Sequence, residues 1–462
     1  MQGSRDSMLG LLIQPEIHEL LEQKNYKELR EILTELDPAD IADFMVVLSP
    51  EECAVVFRLL PQTISADVFE HLPFSDQEEL IQYLGQEQVA AILNEMEPDD
   101  RTALLEELPG KVTRRLMGLL SPEERRISQT LLGYPEESVG RLMTPEYVAI
   151  KKDWSVEEAF QHIRKTGQDK ETVNVIYVTD EDEKLIDDIR LRSLLFADPQ
   201  TKISELMDYQ YTALAAQDDQ ETAIEMMTKY DRIALPVVDS QGALVGIVTS
   251  DDVFDVAEEE TTEDIHRLAG MEALDEPFSQ VSILTMIRKR AGWLAILFAG
   301  ETLTITAMEG FSEEILKWGA LTFFIPLIIS MGGNSGSQAT SLVIRAMALQ
   351  EVKLKDWYRT LGREFLTGIL LGVILGAISI ARVHLFPVEG VIGERIMLTS
   401  LTVSLAVICV VLFGSLIGSM LPFILRSLGF DPALSSAPLV ATLVDVMGVV
   451  IYFSIAKLIF PI

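Results

Sequence analysis

The sequence predicts a multidomain chain: an α-helical superhelical N-terminal domain, an α+β tandem pair, and a five-helix all-α transmembrane domain. Three observations lead there. Proline recurs behind a capping residue through the first 135 residues, a longer duplication follows at an offset of 64, and apolar segments of membrane length succeed one another from residue 291 onward. Charge divides the chain in the same way. Residues 288–462 hold 13 of the 37 Lys and Arg and 11 of the 71 Asp and Glu, which leaves 24 and 60 for residues 1–287. A mean hydropathy of +0.24 beside a net charge of -34 fits two dissimilar materials joined end to end. So acidic a first part makes nucleic acid or anionic lipid a poor partner and favours cations. Cys53 and Cys409 are the only cysteines, so neither a disulfide framework nor a cysteine zinc site is expected. No cleavable signal is visible in the short, acid-flanked LGLLIQPEIHEL at 9–20.

In residues 1–135, LDPAD, LSPEE, MEPDD and LSPEER place Pro38, Pro50, Pro98 and Pro122 behind Asp, Ser or Glu and ahead of acids. That is an N-cap followed by proline at the first helical position. Pro61, Pro73 and Pro109 fill in the pattern, with steps of 11 to 13 residues and one of 25. Short helices stacked into a small superhelix are expected. In the duplication, VGRLMTPEYVAI (139–150) aligns with ISELMDYQYTAL (203–214), and each copy continues to an amphipathic helix and a β-branched strand, VNVIYV or IALPVV. Residues 136–200 and 201–260 therefore read as two βαββα-like copies with a cleft between them.

Five apolar segments follow in 288–462, at about 291–310, 319–344, 365–386, 396–425 and 435–460. The fourth runs 30 residues without a charge, and a helix needs only about 20 to cross a bilayer. Nine basic residues, among them Arg288, Arg345 and Arg426, fall on one side of these segments and four, Lys317, Arg382, Arg395 and Lys457, on the other. The positive-inside rule then predicts a cytoplasmic N-terminal part and an outside C-terminus.

Within the fifth segment, LVATLVDVMGVVIYF places Asp445 at bilayer depth. An ionised carboxylate there costs about 2.5–3.5 kcal/mol, so it should face a partner, a polar cavity or an ion path. The second segment carries a polar island, MGGNSGSQ, whose glycines at 332, 333 and 336 weaken helix pairing while Asn334, Ser335, Ser337 and Gln338 supply oxygens. A broken helix lining a cavity is expected, with glycine-mediated helix packing as the alternative. Glu301 is a further acid inside a span, which Thr302 and Thr304 could satisfy locally; Glu309 is expected at the outer interface. Carboxylate, amide and carbonyl oxygens without a Cys or His cluster favour a hard ion, magnesium before zinc or copper.

Over nearly its whole length the chain resembles the MgtE family of magnesium transporters. The matching stretches are LMTPEYVAI and GIVTSDDVFDV in two CBS-type repeats, EEETTEDIHRLAG after them, GGNSGSQ in the second segment, and LPFILRSLGFDPALSSAPLVATLVDVMGVVIYF at the end. The resemblance implies a homodimer in a bacterial or archaeal inner membrane, with a pore between two five-helix domains and a connecting helix over residues 261–287. It implies that Asp445 is the pore carboxylate, Ala441 offers a pore-lining carbonyl and Asn334 is a pore asparagine. It also implies that Asp252, Asp255, Glu260, Glu263 and Asp264, with Asp99, bind regulatory Mg2+. Thr249 and Asp252 in GIVTSDD fit a CBS nucleotide pattern, whereas the first repeat has Asp188 where glycine is expected and Ser193 where aspartate is, so at most one ATP per chain is expected.

The expected function is therefore a magnesium channel, not an enzyme, fed by the electrochemical gradient and closed by cytoplasmic Mg2+. One alternative is a proton- or sodium-coupled divalent cation transporter using Glu301 and Asp445 as a relay. Another is a membrane-anchored nucleotide or metal sensor that conducts nothing. The chain lacks a Gly-x-x-x-x-Gly-Lys-Ser/Thr loop, which argues against an ATP-driven pump.

Overall fold

The computed structural model describes residues 17–21, 23–168, 170–274, 278, 281–386, 394–434 and 436–460. The chain forms two compact units, Met1–Glu258 and Glu259–Ile462.

The first unit opens with short helices. Beyond a helical stretch at 17–21 they are α1 (Tyr26–Glu35), α2 (Pro38–Met45), α3 (Pro50–Leu59), α4 (Gln62–Glu70), α5 (Phe74–Tyr83), α6 (Gln86–Glu95), α7 (Pro98–Glu107), α8 (Gly110–Met117) and α9 (Pro122–Leu131). The Asp/Ser-Pro signals work as caps: the Asp37 and Ser121 side chains accept from backbone amides of the first turn, and Ser49 forms a reciprocal capping box with Glu52. Glu97, in the same position before Pro98, makes no such bond. Most of the short helices pack on the next but one, α1 on α3, α2 on α4, α3 on α5, α4 on α6 and α7 on α9, which winds the set into a superhelix. Leu29, Leu33, Ile41, Val56, Phe69, Leu93 and Leu105 fill its core. Arg101, fully buried, ties α7 to its neighbours by donating to the Leu93 and Met96 carbonyls and the Ser128 hydroxyl and pairing with Glu124.

The duplication folds as two copies of one motif. The first holds α10 (Val139–Leu142), β1 (Ala149–Lys151), α11 (Val156–Thr166), β2 (Val175–Thr179), β3 (Leu185–Arg190) and α12 (Leu191–Leu195). The second holds α13 (Ile203–Leu206), β4 (Leu214–Ala215), α14 (Glu221–Tyr230), β5 (Ala234–Val238), β6 (Leu244–Thr249) and then α15 (Ser250–Leu268). In each sheet the first strand pairs parallel with the second and the second antiparallel with the third. The central strands β2 and β5 are buried almost throughout, as their unbroken apolar sequences require.

The second unit contains the last turns of α15, then α16 (Ile283–Gly310), α17 (Ser312–Lys317), α18 (Ile325–Ala348), α19 (Trp357–Leu385), α20 (Glu394–Ser427) and α21 (Ala437–Ile459). Of the segment 261–287, residues 275–277, 279 and 280 lie outside the described residues; the end of α15 belongs to the part before them and the start of α16 to the part after. Helix α20 is central, packing on α18, α19 and α21, while α16 packs on α21. Among the described residues four helices, at Ile283–Gly310, Leu354–Leu385, Ile396–Ser427 and Ala437–Ile459, are long and apolar enough to cross a membrane. The fifth, α18, has 24 residues and spans about 36 Å, but carries the polar island.

Helix α18 is unbroken, contrary to the expectation from its glycines. Pro326 sits in its first turn, where the missing amide costs nothing. The glycines serve close packing instead: a methyl on Gly414 or Gly418 of α20 would collide with the carbonyl of Gly332 or Gly336, and one on Gly336 would come within 2.7 Å of Val440. Two hydroxyls of the island also join helices, with Ser335 bonded to Ser415 at 2.7 Å and Thr340 donating to the Gly418 carbonyl at 2.9 Å.

Candidate ion pathway and acidic cation site

Two places in the molecule gather the side chains singled out in the sequence, one in each unit. In the second unit, α18 and α21 lie antiparallel along a narrow seam. Ser337 donates to the Ala437 carbonyl at 3.4 Å, Gly333 faces Ala441, and Gly448 faces Ile329. That register brings Asn334, the neighbour of Gly333, to the level of Ala441, with Asp445 one turn further along α21. Ala441 and Asp445 are half-buried, and Asn334 is exposed. Asp445 has no hydrogen-bond or ion-pair partner among the described residues, so it is not tied off against a neighbouring helix. Asn334 and Gln338, one turn apart and both exposed, likewise have no partner there, whereas Ser335 is spent on Ser415. The island thus splits by face into a packing stripe and a free polar stripe. The Ala441 carbonyl lies within an unbroken helix, so it keeps one lone pair for an outside donor such as an ion-bound water. Glu301 of α16 stands close enough to Asp445 for their charges to interact.

In the first unit, acids from several elements converge. Glu70 ends α4, Glu97, Asp99 and Asp100 open α7, Glu146 precedes β1, Glu171 precedes β2, and Asp251, Asp252 and Asp255 open α15. Asp252 accepts from the Thr249 hydroxyl at 2.5 Å and from its amide at 3.3 Å. Burial raises its carboxyl to about 6 against the pull of that hydroxyl bond. Burial, then the charges of Asp252 and Glu97, lift Asp100 to about 7. Glu171 rises to about 8 through burial and the Glu97 charge, and Glu70 to about 8 through burial and the Asp100 charge. Asp99 is 6% exposed and held well above the usual range by burial and by Asp252. Its Oδ1 is buried without a hydrogen-bond partner among the described residues, although a buried carboxylate oxygen normally has one.

This donor set is entirely oxygen and fits a hard divalent cation, which would give the orphaned oxygen a partner and offset the repulsion among the acids. Among the described residues no three His, Cys, Asp or Glu side chains form a ready ligand set, so water would have to complete the coordination. Sequence reasoning found Asp99, Asp252 and Asp255 here and missed Glu70, Glu97, Asp100, Glu146, Glu171 and Asp251. The one local signal was Glu97 in MEPDD, an uncommon capping residue whose side chain bonds Glu171 instead of capping its helix.

Glu260, Glu263 and Asp264 belong to the second unit. There Arg267 pairs with both Glu263 and Asp431, and burial, then the Asp431 charge, raises Asp264 despite Arg267. Asp188, which stands in place of glycine in the first repeat, pairs with Arg232 at 3.0 Å.

Comparison with known proteins bears on both places. Residues 325–455 match the MgtE family, described as a divalent cation transporter, residues 36–137 match the MgtE intracellular N domain, and residues 139–199 and 203–259 match CBS domains. The magnesium transporter MgtE of Thermus thermophilus is 41% identical over 345 residues, 75% of each chain. The magnesium transporter MgtE of Bacillus subtilis is 30% identical over 372 residues, 80% of each chain. Among solved structures, the cytosolic domain of the Mg2+ channel MgtE in complex with ATP is 37% identical, covers 53% of this chain and 99% of its own, and superposes with a TM-score of 0.51. The soluble part of a magnesium transporter gives 28% identity, 54% and 99% coverage, and a TM-score of 0.51.

Proposed function

Since this chain belongs to the MgtE family, we propose that it is a magnesium-selective channel of the bacterial or archaeal inner membrane, opened to passive influx and closed by cytoplasmic Mg2+. Magnesium transport follows from the family. The route through the protein rests above all on Asp445, an acid deep in an apolar helix that no side chain among the described residues neutralises. In a homodimer with its pore on the twofold axis, two copies of Asp445 would balance one divalent charge. Asn334 and the Ala441 carbonyl would then hold the ion through its water shell, which suits magnesium because it gives up water reluctantly.

Closure by internal Mg2+ is supported by the acidic site of the first unit. Its carboxylates hold protons or repel one another while unliganded, and a divalent cation stabilises whichever arrangement lets it bridge them. Asp99, Asp252 and Asp255 form the part of this sensor in the first unit; Glu260, Glu263 and Asp264 form the part in the second. Thr249 and Asp252 also offer one ATP site per chain, where the phosphates would add negative charge that bound cations must balance. The N-terminal part faces the cytoplasm and the C-terminus lies outside in this reading.

The experiment is growth rescue. Asp445→Ala should abolish magnesium uptake in cells stripped of other importers while the protein still reaches the membrane; normal rescue would refute the pore assignment.

A further inference from the structure

The first span carries an acid for which the reading of Asp445 alone has no use. Helices α16 and α21 run parallel: Gly300 meets Thr442, the Phe311 and Phe453 rings stack with centroids 5.5 Å apart, and Lys457 pairs with Glu314 at 2.7 Å. The first two contacts join residues 142 apart in the chain, so the level of Asp445 on α21 is that of residue 303 on α16. Glu301 then lies only about 3 Å from Asp445 along the axis. Both Cα–Cβ bonds tilt toward their helix N-termini, which keeps the two carboxyl groups at similar depth.

Nothing else satisfies these groups. Neither acid has a hydrogen-bond or ion-pair partner among the described residues. The threonines expected to serve Glu301 do not: Thr302 donates to the Ala299 carbonyl at 2.5 Å and Thr306 to the Thr302 carbonyl at 3.1 Å. Thr304 lies one turn beyond Gly300 on the face that meets α21, level with Asp445 and Val446. It is 6% exposed, and its hydroxyl has no hydrogen-bond partner among the described residues. Two unpaired acids and a buried unpartnered hydroxyl thus share one stretch of the seam. Two like charges at bilayer depth are stable only with a cation or a proton between them.

We infer that Glu301 and Thr304 complete, with Asp445, an oxygen-lined station for a hydrated divalent cation, so that each chain contributes two carboxylates to the ion path. This rests on the assignment of Asp445 to that path. The ligand class follows from the donors, which are all hard oxygens.

The test uses full-length protein in liposomes, with uptake followed by an internal magnesium dye over a range of external MgCl2. Glu301→Gln should raise the half-saturating concentration about fivefold or more, and Glu301→Asp should stay within about twofold of the parent, because charge and not length sets the attraction. A Glu301→Gln curve that overlays the parent overturns the station. So does a Glu301→Gln protein with unchanged magnesium saturation that has lost proton movement, since Glu301 would then be a proton group. Normal transport by Asp445→Ala in the same liposomes would instead remove the path on which the station depends. Where Glu301→Gln does not reconstitute, Thr304→Val carries the comparison: a raised half-saturation supports the station and an unchanged one overturns it.

Discussion

Asp99 shows how one residue holds two opposed states. It stands in the first turn of α7, where an acid is favoured by the helix dipole, yet its Oδ1 is buried and unpaired and its carboxyl retains its proton well above the normal range. A protonated acid and an amide are close in size and hydrogen-bonding capacity. Asp99→Asn should therefore change the stability of the magnesium-free protein by less than about 1 kcal/mol. It should, however, reduce the rise in melting temperature that MgCl2 produces. Thermal unfolding of the full chain with and without MgCl2 checks this, and an undiminished rise would remove Asp99 from the cation site.

Among the elements, the seam of α18 and α20 carries the strongest steric constraint. Gly332, Gly336, Gly414 and Gly418 let the two backbones approach until carbonyl meets Cα, and Ser335 and Thr340 add bonds across the same face. Gly414→Ala places a methyl against the Gly332 carbonyl, which is backbone and cannot turn aside. It should cost about 1–3 kcal/mol or more and lower the yield of folded protein. Gly292→Ala and Gly310→Ala, where added methyls meet nothing within 4 Å, should be near neutral. Detergent melting curves of the three variants make the comparison, and equal losses at all three would show that packing at the seam is not the cause. The same close approach turns Asn334 and Gln338 away from the α20 contact, so a stripe of packing glycines and a stripe of free amides arise from one helix.

For the whole molecule, the excess of acid in the first part makes stability depend on protons and cations together. Burial and mutual repulsion raise Asp252 to about 6, Asp100 to about 7, and Glu70 and Glu171 to about 8. Unfolded carboxyls titrate near ~4. With raised values the folded chain binds more protons than the unfolded chain, so stability falls as pH climbs from about 4 to about 8. Magnesium must displace those protons to bind. The gain in melting temperature from MgCl2 should thus be small near pH ~5.5 and larger near pH ~8. Equal gains at both would argue against the acids of the first unit as the cation site.

What the sequence determined by itself are the features that local rules govern. Proline after a capping residue announced the short helices, alternation of patterns announced two copies of one α+β motif, and runs of apolar residues announced the spans. Asp445 was legible because a lone acid in such a run has so few explanations. Tertiary structure decided what depends on residues distant in the chain. Whether the glycines of α18 break a helix or pack one turned on the facing glycines of α20, about 80 positions later. The company of Asp99 turned on folding that brings Glu171 and Asp252 near it, because electrostatic energy depends on separation in space and not on order along the chain.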